Sequence, residues 1–185
     1  QSKSDPELRL SHKELASKLG STGGPVIGSA SVDPEGAGGA YSTQICDIEI
    51  DPETGKTDVI RYTIAQDVGT AIHPSYVEGQ MQGAVAQCIG WALNEEYFLN
   101  DDGAMVNSSF LDYRMPTSLD LPEIETIIVE VPNPGHPFGV RGVGEVPIVP
   151  GVATVANAIH DALGIRLRTT PMNAGSILSA LKAKK

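Results

Sequence analysis

The chain has 185 residues, with 13 Lys and Arg against 23 Asp and Glu, a formal net charge of −10. An acidic balance without a basic cluster argues against a nucleic-acid partner, because phosphate contacts draw on Lys and Arg. No apolar run approaches the ~20 residues of a membrane-crossing helix, the first residues do not begin a secretory signal, and the distant Cys46 and Cys88 fit neither a metal spacing nor a disulfide framework, so a cytoplasmic, reducing setting is expected.

Ser11-His12-Lys13-Glu14 has the form of a capping box, and Leu15 and Leu19 follow at helical spacing, which predicts a short helix over 12–19. Gly20 to Gly39 is rich in Gly, Ser and Pro and reads as a loop or linker. Residues 1–40 are therefore expected to form an N-terminal arm or linker with a short helix, and 41–185 the folded domain. A chain that begins at Gln1 is also expected to be a processed or partial piece.

Ile45, Ile48 and Ile50 run into the turn Asp51-Pro52-Glu53-Thr54-Gly55-Lys56, and Val59, Tyr62 and Ile64 resume strand-forming residues, which predicts a hairpin across 41–66. Pro74 can open a helix carrying Val77, Met81, Ala84, Val85, Cys88 and Ala92 on one face. Asn100-Asp101-Asp102-Gly103 is a hairpin-type turn, and 124–131 reads as a strand. Pro and Gly punctuate 132–151 as a loop. A helix carrying Val152, Val155 and Ile159 follows, stopped by Gly164, and a last helix follows Pro171. The expected class is α+β, a mixed sheet with packed helices.

Two places break local rules, which tends to mark function. The first is the helix after Pro74, which contains Gly79, Gly83 and Gly90, each costing about 1 kcal/mol relative to Ala. Either neighbouring elements pack closely there, or a bulky ligand approaches the backbone where Gln80 and Gln87 offer amides. Gln80 is expected in the first turn, where unpaired N–H groups favour an anion. The second is Gly139-Val140-Arg141-Gly142-Val143-Gly144-Glu145. Glu145 stands among Val143, Val146, Pro147 and Ile148, and a carboxylate enclosed by apolar groups has a raised pKa and can serve as a base. The plain alternative is an exposed loop glutamate. Asp67 and His73 read more simply as turn or cap formers, and His12, His136 and His160 have no metal-ligand spacing.

Three ordered stretches are more specific: Gln66-Asp67-Val68-Gly69-Thr70-Ala71-Ile72-His73-Pro74, Glu78-Gly79-Gln80-Met81-Gln82-Gly83, and Gly139 to Glu145. With Asp51-Pro52-Glu53-Thr54-Gly55, Asp112-Tyr113-Arg114-Met115-Pro116 and Asp120-Leu121-Pro122, they resemble the C-terminal part of the molybdenum-binding subunit of the xanthine oxidase family, which includes aldehyde oxidoreductases and aerobic carbon monoxide dehydrogenases. The resemblance implies that Glu145 is the base beside the molybdenum, that Gln80 hydrogen-bonds the molybdopterin cofactor (plain or dinucleotide form), and that Gly144 and Arg141 shape the same pocket, with no protein side chain as a metal ligand. It implies oxidative hydroxylation of an aldehyde, N-heterocycle or similar small molecule. Fe–S clusters and FAD are expected on an iron–sulfur subunit and a flavin subunit, with the remaining molybdopterin-binding chain or domain as a further partner. Gln82, Cys88, Arg141 and His73 depart from the commoner Glu, Gly, Lys and Asn. A non-catalytic assembly module with the same fold is the competing reading.

Overall fold

The computed structural model describes residues 3–7, 9–21, 23–25, 27–33, 36 and 38–184. Gln1, Lys185 and several positions of the Gly20–Gly39 stretch lie outside the described residues. The chain divides into two units, Gln1–Pro34 and Glu35–Lys185. In the first, helix α1 (His12–Lys18) starts on the expected capping box: the Ser11 hydroxyl accepts from the Glu14 amide, and the Glu14 carboxylate accepts from the Ser11 amide at 2.8 Å. None of its side chains is buried.

The second unit is built on a three-stranded sheet in the order β1 (Ser42–Ile50), β2 (Thr57–Asp67), β3 (Glu123–Val129). β1 and β2 form an antiparallel hairpin with Ser42 opposite Gln66 and Ile50 opposite Thr57; β3 runs parallel to β2, with Asp67 opposite Val129. The sheet is therefore mixed, as expected. The hairpin turn is local chemistry: the Asp51 carboxylate accepts from the Glu53 amide at 2.8 Å and from the Thr54 hydroxyl, and Gly55 takes φ +73. Those hydrogen bonds hold the Asp51 carboxyl below its ordinary range.

A parallel neighbour requires a crossover, and helix α2 (Pro74–Leu93) lies on that connection between β2 and β3. Helices α3 (Gly151–Leu163) and α4 (Ala174–Lys184) follow, and Gly164 closes α3 in the left-handed conformation that favours glycine. Tyr62, Ile64 and Val68 on β2 and just beyond it share one core with Val77, Met81, Val85 and Ile89 of α2, Val155 and Ile159 of α3, and Ile177 of α4. The Lys184 ammonium donates to the Leu163 carbonyl at 2.9 Å, tying the end of α4 to the end of α3.

Val146–Leu163 has a mean hydropathy of 1.2 over 18 residues, long and apolar enough by composition to cross a membrane. In the fold Pro150 divides it into a 3₁₀ turn and the 13-residue α3. That helix is ~20 Å long, short of a ~30 Å hydrocarbon core, and it buries Val155 and Ile159 in the protein core.

Candidate functional site

The site forms where the end of β2, the start of α2 and the loop 139–149 meet. After β2 the chain turns through Gly69 at φ +66 and pairs with the loop: Thr70 N–H donates to Gly139 O and Arg141 N–H to Val68 O, each at 3.0 Å. A side-chain carbon on Gly69 would run into the Gly139 carbonyl, so no larger residue fits this crossing.

Asp67 and Arg141 lock the same junction. Arg141 Nε lies 3.0 Å from Asp67 Oδ2, with both side chains about nine-tenths buried. Asp67 Oδ1 accepts from the Gly69 amide at 3.0 Å, while the Arg141 guanidinium also donates to Val131 O and Gly39 O. Asp67 is thus a turn former, as its plainer reading had it. Arg141 lines the site, and its Nε and Nη1 are engaged by the protein's own groups.

His73 precedes Pro74 at the start of α2, stacked on Tyr76 with ring centroids 4.0 Å apart and its Nδ1 3.2 Å from the Ser75 hydroxyl. Gln80 therefore stands nearly two turns into the helix, beyond the unpaired N–H groups. The expectation of a first-turn anion site at Gln80 is incorrect. Its side chain is exposed, and no described residue hydrogen-bonds its amide. Together with Arg141 it lines an open pocket of about 210 Å³, whose other walls include Val68, Thr70, Tyr76, Val140 and Val143. Gly144 lies beside it: a side-chain carbon there would sit 3.9 Å from Gln80 Oε1.

The helix glycines separate into two kinds. At Gly79 and Gly83 a side-chain carbon would meet nothing within 4 Å, so this chain leaves that stretch of α2 open. At Gly90 it would collide with the Pro116 ring and the Glu95 carboxylate. Close packing explains Gly90, whereas the backbone at Gly79 and Gly83 is exposed and uncovered by the described residues.

Glu145 follows Gly144, and its side chain is exposed. The apolar enclosure expected around it is not formed by the described residues, because the turn buries Pro147 and presents Glu145 outward at its start. The structure therefore lines one pocket with Gln80 and Arg141, sets Gly144 beside Gln80, and leaves Glu145, the next residue, outside the lining.

Several contributors were not singled out from sequence. Gln44 on β1 donates to Pro147 O, and Cys88 donates to Ile148 O at 3.2 Å. Burial pushes the Cys88 thiol up to about 11, so it remains a neutral donor at physiological pH. Gln66, fully buried beside this cluster on β2, has neither amide atom paired among the described residues. Its partial alternation with Tyr62 and Ile64 on a core-facing strand was the available signal. Phe138 takes φ 58 while 84% exposed, a strained backbone that no local pattern announces. Among the described residues no three His, Cys, Asp or Glu side chains converge as a metal-ligand set. Larger hollows of about 560 and 530 Å³ surround Arg114 near the far end of α2 and contain none of the candidate residues.

A mixed sheet with its helices on the core face, and a glycine-opened helix set against a glycine-rich loop, define a cofactor-contacting α+β module. Residues 5–122 match the molybdopterin cofactor-binding domain, and the chain belongs to that family. It is 34% identical over 142 residues to the 6-hydroxypseudooxynicotine dehydrogenase complex subunit gamma of Paenarthrobacter nicotinovorans, covering 75% of this chain and 18% of the relative. It is also 34% identical over 145 residues to the carbon monoxide dehydrogenase large chain of Afipia carboxidovorans, covering 78% and 17%. The fold resembles the Cu,Mo-CO dehydrogenase in its carbon monoxide reduced state (TM-score 0.71, 31% identity, 78% of this chain and 18% of that one). It equally resembles the aldehyde oxidoreductase of Desulfovibrio gigas (TM-score 0.72, 30% identity, 77% and 15%). The chain spans less than a fifth of the length of these relatives.

Proposed function

We propose that this chain forms one wall of the molybdopterin site of a molybdenum hydroxylase and carries that enzyme's active-site glutamate, Glu145. The observation that carries the reading is the Gln80 amide, unpaired among the described residues and lining a pocket, with Gly144 and its neighbour Glu145 beside it and the open Gly79 and Gly83 backbone on the same helix. When bound, molybdopterin supplies a molybdenum redox centre able to oxidise an electron-poor carbon. Gly79 and Gly83 let it approach the helix backbone, and the Gln80 amide donates a hydrogen bond to it. The Asp67–Arg141 pair holds the loop against α2. The exposed Glu145 carboxylate would serve as the base beside the bound group, with polypeptide beyond the described residues enclosing and tuning it.

The small share of the relatives spanned here supports an assembly in which other polypeptide completes the site. The names "large chain" and "complex subunit gamma" likewise support partner subunits, for which we propose an iron–sulfur chain and a flavin chain. Aldehydes and N-heterocycles are the proposed substrate classes. The test is Glu145→Gln in the assembled, cofactor-loaded enzyme, screened against both classes with a dye as electron acceptor. Turnover is expected to fall by about 10²–10⁴-fold with molybdenum content unchanged. Retained turnover overturns the assignment.

A further inference from the structure

The turn that presents Glu145 is held from two distant elements. Within it, Ile148 N–H donates to the Glu145 carbonyl at 3.1 Å and Val149 N–H to Val146 O at 3.4 Å. The carbonyls of its consecutive residues Pro147 and Ile148 are then taken up by side chains. Gln44 Nε2, 103 residues away in sequence, donates to Pro147 O, and Cys88 Sγ donates to Ile148 O. Gly151 lets Cys88 approach, since a side-chain carbon there would collide with its sulfur. Gln44 is itself anchored, because the hydroxyl of the fully buried Tyr62 donates to Gln44 Oε1 at 2.6 Å. The amide is thus oriented, with its oxygen facing Tyr62 and its nitrogen facing the turn.

We infer that Gln44 is a positioning residue: through Pro147 it fixes the backbone on which Glu145 is presented, with Tyr62 setting its orientation and Cys88 as a second anchor. A partly buried polar pair of this kind is costly to leave half made, which concentrates its effect on one turn. The inference rests on the reading of Glu145 as base, and its test separates the two.

In the full chain, hydrogen–deuterium exchange at the Ile148 and Val149 amides is compared between the parent, Gln44→Met and Tyr62→Phe. Gln44→Met keeps the side-chain length and removes the donor. It is expected to speed exchange at these two amides by about tenfold while α2 and α4 stay as protected as before. Tyr62→Phe, which keeps the ring, is expected to move the same amides in the same direction by less. In the assembled enzyme Gln44→Met is expected to lower kcat by about tenfold, with KM and molybdenum content within about twofold. Unchanged exchange in both variants overturns the inference, as does a kcat unchanged beside faster exchange. Glu145→Gln is expected to leave exchange at the turn unaltered. If that variant stays active, the base assignment falls, while the exchange data still decide whether Gln44 holds the turn.

Discussion

The two ends of α2 are secured by different physics. At its C-terminal end the helix is packed: Gly90 lies under the Pro116 ring, Tyr113 donates to Glu95 at 2.7 Å, and Met172 N–H donates to Ala92 O. Towards its N-terminal half the adjoining loops are held by polar contacts, namely Asp67 with Arg141, and the helix surface at Gly79 and Gly83 is left bare. One residue type, glycine, therefore serves opposite ends. At position 90 it lets the protein touch itself, and at 79 and 83 it keeps the protein out of the way. A polar frame around a bare surface is what a ligand-receiving end requires, because packing would fill the space the ligand needs.

The strongest way to break this contrast is to remove the polar frame. Asp67→Ala leaves the Arg141 guanidinium about nine-tenths buried without its carboxylate and is expected to cost about 3–5 kcal/mol of unfolding free energy, read by urea titration. Asp67→Asn is expected to cost less, because its amide oxygen still accepts from Gly69. The packed end answers to a smaller change. Gly90→Ala places a methyl against the Pro116 ring and is expected to destabilise by about 1–2 kcal/mol even after the gain in helix propensity. Equal stability in that variant would mean that Pro116 yields freely and that the packed end is less rigid than its contacts imply.

Much of this frame was legible in the sequence because its signals are local. The Asp51 turn, the Ser11 capping box, Pro74 at the start of α2 and Gly164 at the end of α3 are each set by hydrogen bonds or φ preferences within a few residues. The family resemblance was legible for another reason, since several motifs keep their order along the chain. The buried faces of α2 and α3 followed from periodicity, whereas the burial of single residues in the 139–149 loop did not. Apolar neighbours in sequence suggested that Glu145 was enclosed, but Pro147 turns inward and Glu145 outward. Arg141 was legible as part of the site, although its commitment to Asp67, Val131 and Gly39 was not. Gln44 and Cys88 were invisible as anchors because their partners lie 103 and 60 residues away.

The bare end gives the sharpest test, although its effect on stability is the smallest. A methyl added at Gly83 meets no atom of the chain within 4 Å, so Gly83→Ala carries no steric cost there. Alanine restricts the unfolded backbone and favours the helix, so the full chain is expected to gain about 0.5–1 kcal/mol in urea unfolding. In the assembled enzyme the same methyl projects into the space assigned to the cofactor, and the molybdopterin recovered per protein is expected to fall. Gain of stability together with loss of cofactor is a combination that simple helix propensity does not produce, because propensity acts on the chain alone. If stability rises and cofactor content stays at the parent level, the open surface at Gly83 faces something other than the cofactor. Gly90→Ala supplies the control, since a methyl there strikes the protein itself and is expected to lower stability first.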